Sequence, residues 1–211
     1  MRPEADLLTV LGRTPVIGIM RGCPLEHVIS MGTAAADAGF EVIEVTSDSP
    51  NPAEAIGRLR ESFPGLLVGA GTVLTPADVP RVVDAGASFI VTPMLSMPVM
   101  EAAVALGVPI IPGAATPTEI WQALEAGAAA VKVFPARELG GPSYLGAIRA
   151  PLGHPPLVPT GGVGAADARA YLDAGALALG IGGSVFSKTA LVDGDAAGVA
   201  SRASALIREL L

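Results

Sequence analysis

The chain has 211 residues, 51% hydrophobic and 16% charged, with Lys+Arg 13 against Asp+Glu 20 for a formal net charge of -7. That balance argues against a general nucleic-acid or anionic-membrane surface, while leaving room for one local anion pocket. The single cysteine, Cys23, excludes an internal disulfide and fits a reducing cytoplasm.

The length suits one domain spanning 1–211. The first residues lack the apolar stretch of a signal peptide. No run of about 18 apolar residues occurs, so neither a membrane span nor a membrane partner is expected. In chain order, residues 4–12 read as a leading helix ending near Gly12. Strands are then expected at 15–20, 41–46, 66–71, 89–92, 109–112, 130–134, 157–160 and 178–181. Helices alternate with them at 24–38, 52–62, 76–85, 97–106, 117–126, 142–150 and 165–174, and a final helix covers 196–210. Gly39, Gly86, Gly107, Gly127 and Gly175 each follow a helical stretch, where a left-handed residue closes the last turn. Thr116-Pro117-Thr118-Glu119 has the form of a capping box with proline at the first helical position.

Strands alternating with helices imply right-handed crossovers and a parallel sheet. Eight such units in this length fit a compact (β/α)₈ TIM barrel with an N-terminal helix. An open doubly wound sheet is the runner-up, but it favours a glycine-rich loop after the first strand. Met20-Arg21-Gly22-Cys23 is not G-x-G-x-x-G.

In a barrel the C-terminal ends of the strands converge on one face, where active sites are built. Those ends carry Arg21, Glu44, Thr46, Gly71, Thr72, Thr92, Pro93, Gly113, Lys132, Phe134, Thr160, Gly161, Gly162, Gly183 and Ser184. Lys132, one of two lysines, sits in the apolar run Val131-Lys132-Val133-Phe134. An ammonium buried there is costly unless it is paired or loses its proton. It therefore reads either as a neutral amine fit for Schiff-base catalysis or as a lysine that snorkels or pairs. Glu44, inside Val42-Ile43-Glu44-Val45-Thr46, is the second unusual residue. If both side chains point inward they share a pocket, as a nucleophile with its general acid/base or as a structural ion pair. Thr160-Gly161-Gly162 and Gly182-Gly183-Ser184 follow the last two strands. Those loops are the usual phosphate site of such barrels, because glycines let backbone N–H groups approach an anion. His27 and His154 lack partners at metal-ligand spacing, so no metal is expected. Met94, Met97 and Met100 read as core packing, Trp121 as facing the sheet, and Lys188 as solvated.

Five motifs now stand in order: Glu44-Val45-Thr46, Gly69-Ala70-Gly71-Thr72-Val73, Lys132-Val133-Phe134-Pro135, Pro159-Thr160-Gly161-Gly162 and Gly182-Gly183-Ser184. In order and spacing, across about 14–187, the sequence resembles the 2-keto-3-deoxy-6-phosphogluconate (KDPG) / 4-hydroxy-2-oxoglutarate (KHG) aldolases. The resemblance implies a (β/α)₈ class I aldolase, a homotrimer with no metal and no cofactor beyond the covalent lysine Schiff base. It implies cleavage of a 4-hydroxy-2-keto acid to pyruvate and an aldehyde such as glyceraldehyde 3-phosphate. By motif, Lys132 is the Schiff-base lysine and Glu44 the proton-transfer carboxylate. Arg21, Thr72, Pro93, Phe134 and Thr160 bind substrate, and Gly161, Gly162, Gly183 and Ser184 hold phosphate. Many members carry arginine where this chain has Asp48, and a carboxylate facing the substrate's own would repel it. Ser49-Pro50 is closer to the branch acting on 2-dehydro-3-deoxy-6-phosphogalactonate, which leaves the C4 epimer and phosphorylation open. A sugar-phosphate epimerase or a non-catalytic binding barrel would share the glycine loops without needing a lysine adduct.

Overall fold

The protein is described from a computed structural model covering residues 6–210. It opens with helix α1 (Leu7–Arg13), whose N-cap Asp6 accepts the Thr9 N–H at 3.1 Å. The expected start of that helix at residue 4 lies outside the described residues. Nine short strands follow: β1 (Val16–Met20), β2 (Val42–Thr46), β3 (Leu67–Gly71), β4 (Ile90–Val91), β5 (Ile110–Ile111), β6 (Gly113–Ala114), β7 (Val131–Val133), β8 (Leu157–Pro159) and β9 (Leu179–Ile181). Between them lie α2 (Val28–Asp37), α3 (Pro52–Ser62), α4 (Asp78–Asp84), α5 (Met97–Ala105), α6 (Pro117–Glu125), α7 (Gly141–Arg149) and α8 (Ala165–Asp173). Two further helices, α9 (Lys188–Asp193) and α10 (Ala196–Leu210), complete the fold.

Every residue of every strand is buried, as expected for strands covered on both faces. Side-chain alternation divides the core in two. Val16, Met20, Ile43, Val45, Val68 and Ile90 join the helices in an outer layer. Ile17, Val42, Leu67, Phe89, Ile111, Ala130, Val158 and Ala178 fill the interior, where Leu7, Val10 and Leu11 of α1 pack with them. The α1 plug is pinned by Arg13 Nε, which donates to Glu41 Oε1 at 3.0 Å, and by the Thr14 hydroxyl on the same carboxylate.

All the strand pairs are parallel, but the expected regular ring of eight is met only in part. The strands form a six-stranded curled sheet, β5-β4-β3-β2-β1-β9, and a three-stranded sheet, β6-β7-β8. A single bridge, Thr160 to Gly180, joins the two on one side. On the other side the expected strand 109–112 changes partners at Pro112. Ile110 and Ile111 pair with β4, whereas Gly113 and Ala114 pair with β7. Proline supplies no N–H, so one ladder stops there and a new one starts beyond it. The arrangement is thus an α/β, barrel-like fold of two parallel sheets.

The five glycines expected to close helices all adopt positive φ, and Thr116 with Glu119 forms the capping box. Helix α2 starts at Val28 rather than 24, with His27 at its N-cap. Helix α9 was not expected; Ser187 caps it by accepting the Ala190 N–H at 3.2 Å. Of the three methionines expected in the core only Met100 is buried, while Met94 and Met97 are exposed. Trp121 is exposed as well, because α6 buries Ile120 and Ala123 and the neighbouring position points off that stripe.

Candidate active site

The strand ends open into a cavity of about 650 Å³. Of the expected site residues, Arg21, Pro93, Lys132, Phe134, Thr160, Gly161, Gly162, Gly183 and Ser184 line it. Glu44 and Thr72 do not. Glu44 lies one layer deeper, in a small internal cavity that it shares with Lys132, Ile19, Thr160 and Gly180. Lys132 borders both spaces and so connects the mouth to the carboxylate.

Lys132 is held at the centre of β7, where its N–H donates to the Pro112 carbonyl at 2.9 Å. The side chain is 5% exposed, and Nζ stands 5.1 Å from the centroid of the Phe134 ring. Burial pushes the amine below its ordinary basicity; the Glu44 charge pulls it back up and the Arg21 charge pushes it further down. Glu44 is 1% exposed, and its Oε1 is buried without a hydrogen-bond partner. Burial raises its carboxyl above the usual range, against the opposing pull of Lys132 and Arg21. The pair interacts through space with no direct ion-pair contact among the described residues, which leaves each group room to act on a third molecule. Gly71 makes room for the carboxylate: a Cβ there would lie 2.5 Å from Glu44 Oε1.

At the rim, Arg21 donates to the Thr72 hydroxyl at 2.9 Å and forms an ion pair with Asp48. This corrects the picture of Asp48 as a bare carboxylate facing the substrate, because the Arg21 charge compensates it. Thr72 has φ +58, a left-handed conformation that costs a β-branched residue energy and places its hydroxyl at Arg21. On the far side of β1 come the glycine loops. Gly161 and Gly162 both have positive φ. The Ser184 hydroxyl donates to the Val163 carbonyl at 2.9 Å, tying the loop after β9 to the loop after β8. Thr160 is buried, and Gly180 beside it has no room for a Cβ, which would fall 2.1 Å from the Thr160 hydroxyl oxygen.

The sequence reading missed Arg137, which lines the cavity next to Gly162. Its position two residues past Pro135, on the loop leaving the lysine strand, was the available signal. Cys23 is buried, and burial pushes its thiol up to about 11. His154 contacts Arg149 through Nδ1 at 2.8 Å, and the described residues contain no group of three His, Cys, Asp or Glu able to hold a metal. Among them no helix is long and apolar enough to cross a membrane.

A buried amine of lowered basicity, open to the mouth and backed by a carboxylate whose Oε1 has no hydrogen-bond partner, suits covalent chemistry on a carbonyl compound. That is the chemistry of class I aldolases. The chain belongs to the KDPG and KHG aldolase family, which residues 8–201 match. It is 36% identical over 201 residues to the 2-dehydro-3-deoxy-phosphogluconate aldolase of Dickeya dadantii, covering 95% of this chain and 92% of that one. It is likewise 36% identical over 176 residues to the 2-dehydro-3-deoxy-6-phosphogalactonate aldolase of Escherichia coli, covering 82% and 85%. Among solved structures, the KDPG aldolase of Legionella pneumophila, with pyruvate captured as a covalent carbinolamine, superposes with a TM-score of 0.89 at 29% identity. That match covers 97% of this chain and 99% of the other.

Proposed function

We propose that the protein is a class I aldolase that cleaves 2-dehydro-3-deoxy-6-phosphogluconate, or a close 4-hydroxy-2-keto acid, to pyruvate and an aldehyde such as glyceraldehyde 3-phosphate. The C4 epimer 2-dehydro-3-deoxy-6-phosphogalactonate and 4-hydroxy-2-oxoglutarate are the near alternatives. The observation that carries the reading is Lys132: a 5% exposed lysine whose burial lowers its basicity, opening on one side to the mouth and on the other to Glu44.

The neutral Lys132 amine adds to the C2 ketone, and the carbinolamine loses water to give an iminium. The iminium draws the electron pair of the breaking C3–C4 bond, so cleavage leaves a neutral enamine instead of a free carbanion. Glu44 helps the carbinolamine lose water and then takes the C4 hydroxyl proton as the aldehyde forms. It next returns a proton to C3, and water releases pyruvate and regenerates the amine. Positioned acid–base help of this kind is worth about 10²–10⁴-fold. Arg21 and Thr72 hold the keto-acid end, Pro93, Phe134 and Thr160 flank the imine, and Gly161, Gly162, Gly183 and Ser184 receive the phosphate. No dissociable cofactor enters this cycle.

The same reading takes the two parallel sheets as one (β/α)₈ barrel and residues 1–211 as one catalytic domain. It places the chain in the cytoplasm as a homotrimer. Exposed Met94, Met97, Leu106 and Trp121 supply apolar surface for such packing. Light scattering after size exclusion should give three times the 21.1 kDa chain mass.

The decisive experiment incubates the protein with pyruvate and borohydride, followed by intact mass and peptide mapping. A reduced pyruvyl adduct on Lys132, absent in Lys132→Ala together with turnover, is the expected result. No adduct on folded protein would turn the reading toward an epimerase or a binding barrel.

A further inference from the structure

The main cavity has an unusual charge balance for a chain of net charge -7: its charged lining residues are Arg21, Lys132 and Arg137, with no carboxylate among them. Two of the three cations are already committed. Lys132 faces Glu44's small cavity, and Arg21 is tied to Asp48 and Thr72. Arg137 is the third: its guanidinium makes no hydrogen bond among the described residues and is held only by a long, exposed ion pair with Asp167. Its nearest anion is Asp167 Oδ2 at 3.7 Å, too long for a hydrogen bond. The other oxygen of Asp167 is occupied, accepting the Gly164 N–H at 2.8 Å to cap α8.

The strand order sets where this loosely paired cation stands. β9 pairs with β1 and is bridged to the end of β8, and β8 pairs with β7. The glycine loops after β8 and β9 are therefore flanked by Arg21 on one side and Arg137 on the other. The loop that carries Arg137 is fixed to the glycine loop. The Ala136 N–H donates to the Thr160 carbonyl at 2.8 Å, and the Arg137 N–H to the Gly161 carbonyl at 3.1 Å. The Arg137 side chain then lies flat on Gly162, where an added Cβ would meet its Cβ at 2.7 Å and its Cδ and Nε at 2.9 Å. Glycine at 162 thus serves two ends at once, admitting the left-handed turn and letting the guanidinium reach the loop.

We propose that Arg137 is a specificity residue of this site, binding the phosphate of a phosphorylated keto acid against the glycine loops and so selecting it over the unphosphorylated counterpart. The proposal rests on the aldolase reading and extends it. A guanidinium offers a planar fork of donors that matches two phosphate oxygens. A terminal hydroxyl in the same place carries no charge for it to read.

The test is Arg137→Met, which keeps an unbranched apolar stem over Gly162 and removes the guanidinium with its charge and donors. Cleavage of 2-dehydro-3-deoxy-6-phosphogluconate and of its unphosphorylated counterpart is followed by pyruvate release, with inorganic phosphate as competitive inhibitor. The exposed guanidinium puts the expected rise in KM for the phosphorylated substrate at about tenfold, near the low end for charge-assisted hydrogen bonds. The inhibition constant of inorganic phosphate should rise in parallel. The kcat and the whole of kcat/KM for the unphosphorylated acid should stay at the parent's values. An unchanged KM for the phosphorylated acid, or an equal loss on both substrates, would overturn the proposal. Borohydride trapping of pyruvate on the unaltered protein keeps the two readings apart. An adduct there with no Arg137 effect removes this inference alone, whereas no adduct removes the aldolase reading itself.

Discussion

Gly71→Ala places one methyl group against the proposed proton carrier. The added carbon would stand 2.5 Å from Glu44 Oε1 and 2.7 Å from Cδ. Non-bonded heavy atoms attract at roughly 3.5 Å, so the carboxylate must retreat by on the order of 1 Å. Gly71 does not have a positive φ, so alanine adds no backbone penalty and the perturbation is steric. Displacing a reacting group by about 1 Å costs on the order of 10²-fold in rate, and overpacking a core costs about 1–3 kcal/mol of stability. Gly69→Ala is the control on the same strand, since its methyl would strike the Phe89 ring at 2.4 Å rather than Glu44. Steady-state cleavage, paired with thermal unfolding, should show both variants destabilised and only Gly71→Ala losing about two orders of magnitude in kcat. A Gly71→Ala enzyme with kcat within about threefold of the parent would refute the assignment of Glu44's position to the chemistry.

The rate of borohydride trapping should rise with pH and level off below the ordinary lysine value of 10.5, because burial lowers the Lys132 amine and only its neutral form adds to pyruvate. The same shift means the unfolded chain binds more protons than the folded one between the folded and unfolded values, so Lys132's contribution to stability increases as pH rises through that window. Glu44→Gln should move the trapping inflection further down, since the Glu44 charge holds the amine up; an upward move would contradict the coupling. Asp48→Asn should lower KM for pyruvate by a few-fold at low salt, because an exposed ion pair is worth at most about 1 kcal/mol. That gain should fade as salt rises, measured by trapping against pyruvate concentration, and a raised KM would show that Asp48 positions Arg21 instead of competing for it.

The elements of the fold were legible because burial on both faces writes strands as apolar runs, and because Ala-Gly and Leu-Gly pairs mark helix ends. The burial of Lys132 and Glu44 was legible for the same reason, since both are charges inside such runs. Pairing across the chain was harder to read. Pro112 looked like the end of a strand, and only the structure reveals that the ladder changes partners there. Arg21 and Asp48 meet over adjacent strand ends, where side-chain direction depends on turns that no periodicity records. The depth of Glu44 below the main cavity follows from its place two residues before the end of β2. Arg137 was overlooked because a charged residue on a polar loop looks ordinary until Gly162 is seen beneath it. Met94, Met97 and Trp121 misled because apolar character alone does not choose a face.

Helix α1 has a consequence for the order of events. Leu7, Val10 and Leu11 pack against the interior side chains, which leaves the mouth as the open route to Lys132 among the described residues. The lysine sits at the inner wall of that passage, and the glycine loops stand at its entrance. If Lys132 and the glycine loops act as proposed, a bond broken between them leaves the aldehyde nearer the doorway and the three-carbon remnant still tethered behind it. Departure on that reading is a queue: aldehyde out first, pyruvate last, and in the reverse direction pyruvate enters before the aldehyde joins it.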